Sequence, residues 1–167
     1  KALARSMSAT KEIKAANILN NSTNAGVYAG GDGVALLSQS HPTQNGLQSN
    51  TLGTAADLSE TSLESLLIQI ADMKDDKGLR IAAQGQMLII PTAYTFIAQR
   101  ILNSDLRVGT ADNDINAIRS GSYLPQGFHI MRRLTDSDAF YIKTDVPDGL
   151  KMFQRSPQKR GVEGDFE

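Results

Sequence analysis

The sequence contains no cysteine and no tryptophan. The absence of cysteine excludes disulfide bonds, thiolate metal sites and a cysteine nucleophile, and it fits a reducing compartment. Aromatic residues make up only 5% of the chain, whereas hydrophobic residues make up 40%. A core must therefore be built from leucine, isoleucine, alanine and methionine, and 167 residues are enough for one domain with such a core.

The chain also carries almost no net charge, since it contains 17 basic and 18 acidic residues. This balance argues against a surface made for non-specific binding of nucleic acid or anionic membrane, although it allows a local basic patch. No apolar run approaches the ~20 residues of a membrane span, and no signal-peptide pattern is present. We therefore expect a soluble protein with no membrane partner.

In the stretch 86–102, the spacing of the apolar residues changes at Pro91. The continuous apolar run at 87–90 is typical of a strand buried on both faces. Pro91 suits the entrance of a helix, and it disfavours helix in the residue before it. The apolar spacing after it is that of an amphipathic helix, with a stripe formed by Ala93, Phe96, Ile97, Ile101 and Leu102. We predict a strand, a tight turn and a helix, with Ile90 and Ile97 buried. A catalytic turn of the nucleophile-elbow type is disfavoured, because 91–93 contains no glycine-flanked serine or cysteine.

A first helix is predicted from residue 1 to about Asn20, followed by a turn at 20–24. Its helical spacing begins without a capping residue, so we expect the helix to start upstream and the chain to be part of a longer protein. The stretch 26–54 is rich in glycine, serine, asparagine and glutamine, with a short strand candidate at 34–37. Loops of this length tend to be functional or to lie against a partner.

A second helix has the cleanest amphipathic stripe, formed by Leu63, Leu66, Leu67, Ile70 and Met73. Two candidate capping boxes precede it, at 57–60 and 61–64. Its end is predicted at 75–78, where Gly78 can adopt the left-handed C-terminal conformation. Beyond a loop at 103–126, strands are predicted at 128–134 and 140–146, joined at 136–138, with a third at 150–153. This order of elements predicts an α+β fold.

The search for chemistry finds no convincing catalytic, metal or cofactor site. His129 could act as a base, but a strand histidine without a nucleophile is more often structural. Asp112, Asp114 and Asn116 alternate like the start of a calcium loop, yet the positions that need glycine and a bidentate glutamate hold Ala117 and Tyr123. We expect these residues to bond within a turn. The glycines at 30–33 lack a phosphate-loop ending and indicate a flexible turn.

The densest positive groups are Arg155, Lys159 and Arg160, with Arg132 and Arg133 upstream. These side chains could contact phosphate, form ion pairs between subunits, or belong to a solvated face. No aromatic residues are interleaved with them, so nucleic-acid contact is not the favoured alternative. The sequence predicts a protein that is not an enzyme.

Short motifs lie along the chain in a recognisable order: LSETSLE at 58–64, LIIPTAY at 88–94, ILNSD at 101–105, NDIN at 113–116, GFHI at 127–130, AFYI at 139–142, PDGLK at 147–151 and QR at 154–155. Their order and spacing resemble the major capsid protein of tailed bacteriophages, particularly the Mu-like major head subunit group. Residues 1–26 also resemble the end of that family's long spine helix and the turn after it.

The resemblance implies the Johnson-type phage capsid fold, an α+β fold in which a central sheet is flanked by helices. Residues 1–26 would be the end of the spine helix in the peripheral domain, and 27–50 an irregular connecting loop. Residues 51–146 would form the axial domain, and 147–167 would return to the peripheral domain. The family's N-terminal arm and extended hairpin loop have no counterpart in this sequence.

The function implied by the resemblance is self-assembly into an icosahedral shell around packaged phage DNA, within the virion capsid and after assembly in the host bacterial cytoplasm. The implied partners are copies of the same chain in hexamers and pentamers, decoration or portal proteins, and DNA held by weak non-specific contact. The loop at 103–126 would point to the capsomer centre, with Asp105, Arg107, Asp112, Asp114 and Arg119 as intersubunit contacts. Arg155, Lys159 and Arg160 would make phosphate or ion-pair contacts.

Two alternatives differ from a phage shell. The first is the shell of a cellular nanocompartment with the same fold, which would differ in its cargo. The second is a small α+β hydrolase or metal enzyme that uses His129 and the turn at 112–116. A cargo-peptide groove would indicate the first alternative, and loss of an associated activity on His129→Ala would indicate the second.

Overall fold

The computed structural model describes residues 2–107, 114–147, 149–151 and 153. Helices and two small sheets alternate along the chain, which is compatible with the predicted α+β class. In chain order the elements are α1 (Ala2–Asn20), β1 (His41–Thr43), β2 (Gly46–Gln48), α2 (Glu60–Ala71), β3 (Gly85–Ile90), a 3₁₀ turn (Thr92–Tyr94), α3 (Thr95–Asn103), α4 (Ala117–Ser120), β4 (Phe128–Ile130) and β5 (Tyr141–Thr144). Among the described helices, none is both long enough and apolar enough to cross a bilayer.

Strand β3 is the centre of the larger sheet. Strand β4 pairs with it in parallel, with Leu88 opposite Phe128, and β5 pairs with it in the antiparallel sense, with Leu88 opposite Ile142. The chain passes through α3 and α4 between β3 and β4, which is the long crossover that a parallel pair requires. The strands predicted around 128–134 and 140–146 are confirmed, in shorter form and on opposite sides of β3.

The core lies on one face of this sheet, where α2 and α3 cover it. Leu88 and Ile90 of β3 and Leu63 of α2 are all 0% exposed. Met87 and Ile89 are only partly buried, because successive strand residues point to opposite faces. The prediction that β3 is buried on both faces is therefore wrong for its second face. The remaining buried members of the core are Leu58, Tyr94, Ala98, Ile118 and Leu124.

Pro91 lies at the junction of strand and helix, as predicted, and its carbonyl accepts a hydrogen bond from the Tyr94 amide at 3.2 Å. Helix α3 buries Ala98 completely and turns Phe96, which is 78% exposed, to the outside. The predicted stripe was wrong for Phe96 and Ala93. Phe96 lies about 200° of helical rotation from the buried Ala98, so it is on the opposite face of α3. Ala93 belongs to the 3₁₀ turn before α3 and is exposed. Ile97 is partly buried, whereas Ile90 is fully buried.

Helix α2 begins with a capping box that neither predicted box contains. The Ser59 hydroxyl accepts from the Ser62 amide at 3.1 Å, and the Ser62 hydroxyl accepts from the Ser59 amide at 2.9 Å. Ser62 thus performs the role that a glutamate performs in the usual motif. The reciprocal bonds fix the start of the helix at Glu60.

Helix α2 ends at Ala71, earlier than predicted. Gly78 does have a positive φ of 88°. Its position is a separate turn, however, in which the Asp75 carboxylate accepts from the amides of Lys77 and Leu79 at 2.9 and 2.8 Å. The carboxylate organises the backbone locally, so Gly78 is a turn residue and does not cap the helix.

The stretch 26–54 differs from the prediction in its strands. At 34–37 there is only an isolated bridge between Ala29 and Ala35, while β1 and β2 form a hairpin that the sequence did not predict. Of the strand predicted at 150–153, the described residues 150, 151 and 153 are not in a strand. Met152 lies outside the described residues.

Helix α1 is attached to the rest of the molecule by hydrogen bonds at its last turn and, further up, by a long ion pair between Glu12 and Arg133. The Asn20 amide donates to the carbonyl of Arg133 and its oxygen accepts from the Thr135 amide, both at 3.1 Å. The Tyr141 hydroxyl donates to the carbonyl of Leu19 at 3.2 Å. Ala16 is fully buried, whereas most of the described side chains from residue 5 to residue 15 are exposed. The helix therefore extends away from an anchored C-terminal end.

Candidate functional site

The segment 103–126, here called the rim loop, connects α3 with the turn before β4. Within it, the segments 105–107 and 114–116 run antiparallel to each other, with a bridge between Leu106 and Ile115. The Arg107 amide donates to the Asp114 carbonyl at 2.8 Å, and the Asn116 amide donates to the Asp105 carbonyl at 3.2 Å. The base of the loop is therefore fixed by backbone hydrogen bonds.

Asn116 is the buried polar residue that joins the rim loop to α3. It is 2% exposed, and its amide nitrogen donates to the carbonyls of Ile101 at 2.5 Å and Ser104 at 3.0 Å. Its side-chain oxygen caps α4 by accepting from the Arg119 amide at 3.3 Å. The contact of Asn116 with the Arg119 amide is local, as predicted for this group of residues, but its other two hydrogen bonds reach across to the end of α3. Asp112, its partner in the calcium-like pattern, lies outside the described residues.

The charged residues predicted for this loop are partly brought together. The Arg119 guanidinium lies 3.1 Å from the Asp105 carboxylate, and it also donates to the carbonyl of Asn103. Arg107 turns to the first turn of α2, where its Nε lies 3.2 Å from the Glu60 carboxylate. Both ion pairs are exposed enough that each contributes at most about 1 kcal/mol to stability. Asp114 is exposed.

The other charged residues named for a contact role, Arg155, Lys159 and Arg160, lie outside the described residues. Of the five contact residues predicted in the rim loop, the structure describes Asp105, Arg107, Asp114 and Arg119. Two of its cations already have an acidic partner in the same chain.

An exposed apolar pair also lies on the rim loop and was not predicted from the sequence. Leu106 is 47% exposed and Ile115 is 70% exposed. Residues directly opposite each other on antiparallel segments project to the same side, so the two side chains form one small apolar surface. In the sequence, the only indication of this surface is that a leucine and an isoleucine lie among charged residues. That the two residues are opposite each other becomes clear only from the fold.

The histidines do not assemble a reactive centre in the described part of the chain. His129 is exposed at the middle of β4. His41 Nδ1 lies 2.7 Å from Asp32 Oδ2, and this hydrogen bond lowers the pKa of the Asp32 carboxyl. Within the described residues, no group of three histidine, aspartate or glutamate side chains is placed to hold a metal ion. The glycines at 30–33 form a turn, in which the Gly33 amide donates to the Gly30 carbonyl at 3.0 Å.

Comparison with known protein families gives a match to a family described as "Phage capsid protein". The matched region is residues 1–166 and thus includes α1, both sheets and the rim loop. No curated protein and no solved structure matches the chain.

Proposed function

Because this chain belongs to the phage capsid protein family, we propose that it is the subunit of an icosahedral shell that self-assembles around packaged phage DNA. Membership of the family supports a structural role in the virion capsid. The observation that carries the proposal is the extent of the family match, which leaves one residue of the sequence outside it. The proposed fold is the Johnson type, of the Mu-like group.

The proposed domain organisation follows the same resemblance. Residues 1–26 belong to the peripheral domain as the end of its spine helix, and 27–50 connect them to the axial domain at 51–146. Residues 147–167 return to the peripheral domain. The anchoring of α1 by its last turn supports this division, since a helix that extends away from the sheet has most of its surface available for neighbouring subunits.

The rim loop is the proposed contact between subunits within hexamers and pentamers. Its apolar pair, Leu106 and Ile115, is surrounded in sequence by Asp105, Arg107 and Asp114, with Arg119 on the following helix. An apolar centre with a polar rim is the usual composition of a protein interface. Burying the pair against a neighbour removes apolar surface from water, and repeated heterologous contacts of this kind close into rings.

The remaining parts of the proposal concern DNA and other partners. Arg155, Lys159 and Arg160 make phosphate or ion-pair contacts, and Asp112 joins the contact set of the rim loop. The near-balance of 17 basic and 18 acidic residues supports only weak, non-specific contact with packaged DNA. Assembly takes place in the host bacterial cytoplasm, and decoration or portal proteins complete the particle.

The rim-loop contact is tested by the double substitution Leu106→Ser and Ile115→Ser in the full-length protein. We expect the variant to fold normally, since both side chains are exposed, and to need a subunit concentration higher by at least about tenfold for assembly. Leu47→Ser is the matched control, because Leu47 is also 70% exposed but lies on β2. Assembly of the double variant at the wild-type concentration would contradict the proposed contact.

A further inference from the structure

A cleft of about 500 Å³ lies between α1 and the loop that follows β4. Its lining residues are Arg5, Ser8, Ala9, Glu12 and Arg133. The Arg133 guanidinium lies 3.8 Å from the Glu12 carboxylate, which is a long ion pair, and Arg5 has no ion-pair partner among the described residues. Two guanidinium groups and one carboxylate leave an excess positive charge. Together with the Ser8 hydroxyl, the cleft offers donors that suit a carboxylate or a phosphate.

An acidic turn at 136–138 lies three residues after Arg133. The Asp136 carboxylate accepts from the Asp138 amide at 3.2 Å, and the hydrogen bond and negative charge of Asp136 raise the pKa of the Asp138 carboxyl. The negative charge of Asp57, which precedes α2, acts in the same direction. No cation of the described chain forms an ion pair with either carboxylate. The turn therefore carries uncompensated negative charge.

The cleft and the acidic turn belong to one loop but have different neighbours. Arg133 is directed to α1 through Glu12, whereas Asp138 is within electrostatic range of Asp57 at the start of α2. The Asp136 and Asp138 carboxylates form no ion pair with Arg5 or Arg133 of their own chain. The turn and the cleft are therefore both available to a second copy, and their charges are complementary.

We propose that the acidic turn of one copy, Asp136 and Asp138, docks into the arginine cleft of the next copy, formed by Arg5 and Arg133. Guanidinium groups bind carboxylates through paired, charge-assisted hydrogen bonds, which also fix the orientation of the two copies. Because cleft and turn are different surfaces, the contact is head to tail, and such contacts propagate into rings or larger closed assemblies. The inference rests on the proposed shell function, to which it adds a second specific contact.

The test uses two charge-reversed forms of the full-length protein. The cleft variant carries Arg5→Glu and Arg133→Glu, and the turn variant carries Asp136→Arg and Asp138→Arg. Alone, each variant places like charges at every contact, so we expect assembly to need a subunit concentration at least about tenfold above that of the wild type. In an equimolar mixture every contact between unlike copies is attractive again. We expect mixed, alternating assemblies, measured by native mass spectrometry and sedimentation velocity.

Arg132→Glu is the matched control, since Arg132 is exposed and adjacent to Arg133 but does not line the cleft. It should assemble like the wild type, and thermal unfolding should show that all variants are folded. Variants that assemble normally on their own, or a mixture that stays dispersed, would overturn the inference. A cleft variant that assembles normally but retains less DNA would overturn it too and would assign the cleft to phosphate. A wild-type protein that stays monomeric would instead contradict the proposed shell function.

Discussion

The unit formed by β3 and α3 (residues 85–103) and the connecting segment at 27–50 are held in place by different forces. In the unit, Leu88, Ile90 and Ala98 are all 0% exposed and pack in the main core. In the connecting segment, Ala35 is the single buried hydrophobic residue. Burial of apolar surface therefore stabilises the unit, while the segment must depend on other interactions.

The connecting segment is ordered mainly by side chains that bond to backbone groups. The side-chain nitrogen of Asn50 donates to the Leu36 carbonyl at 2.7 Å, and its side-chain oxygen accepts from the Ser38 backbone amide at 2.8 Å. Gln69 reaches from α2 to donate to the carbonyls of Ser49 and Thr51 at 2.9 and 3.0 Å. Each such bond contributes only about 1 kcal/mol to stability, so the segment can open locally while the core remains folded.

The largest expected effect is that of Ile90→Asp, which places an unpaired charge in the core. We expect the free energy of unfolding to fall by more than about 4 kcal/mol, which leaves the domain largely unfolded. Phe96→Asp is the control, since this residue belongs to the same unit but faces outside. Circular dichroism and denaturant titration measure both. Ile97→Asp, at a partly buried position, should lie between them, and equal stability of all three variants would show that the core is misplaced.

A smaller loss is expected for Asn116→Ala, which tests a polar anchor at the edge of the same core. The substitution leaves the carbonyls of Ile101 and Ser104 without their donor and removes the cap of α4. We expect a loss of about 1–3 kcal/mol in the free energy of unfolding. Asn103→Ala, at an exposed position on α3, is the control, and urea titration gives the comparison. An unchanged midpoint for Asn116→Ala would mean that the rim loop is not anchored there.

Asn50→Ala should affect the connecting segment alone. Its hydrogen bonds to Leu36 and Ser38 are lost, at an expected cost of about 1 kcal/mol or less in global stability. Hydrogen exchange at the Ser38 amide should become faster, while exchange at the Leu88 amide should stay unchanged. Faster exchange at both amides would show that segment and core form one cooperative unit.

The smallest expected effect is the pH dependence of the same segment. The hydrogen bond from His41 lowers the pKa of Asp32 in the folded chain relative to the unfolded chain. The carboxylate therefore contributes stability above the unfolded value, near pH 4, and this contribution is lost as the pH falls through the folded value. Protection of the Val34 amide, which donates to Asp32, should decrease below about pH 4 in the wild type, measured as the exchange rate relative to the intrinsic rate at the same pH. An Asp32→Asn variant with the same pH profile would contradict this assignment.

The parts of the fold that the sequence predicted well are those with apolar periodicity. The strand before Pro91, the helix after it and the helix α2 all follow from local spacing. Their buried faces were predicted less well, since Phe96 of α3 is exposed and β3 is fully buried on one face only. The start of α2 was less predictable, because either serine or glutamate can satisfy the same amide. Only the backbone geometry identifies Ser62 as the partner of Ser59.

Features that depend on distant residues were not predictable. The hairpin of β1 and β2 includes Pro42 and is held by the Asp76 carboxylate, which accepts from the Gln44 amide at 2.9 Å. Likewise, Leu106 and Ile115 become neighbours only when the rim loop closes. The charges of that loop were visible in the sequence. Their distribution between ion pairs within the chain and free surface depended on the fold.

We propose above that this chain is a shell subunit whose rim loop contacts neighbouring copies. The most direct test is cryo-electron microscopy of the purified full-length protein under assembly conditions. If the chain assembles as proposed, closed particles form in which Leu106 and Ile115 lie within about 4 Å of a neighbouring subunit. A monodisperse monomer at high concentration, or closed particles in which the rim loop is more than a side-chain length from every neighbour, would contradict it.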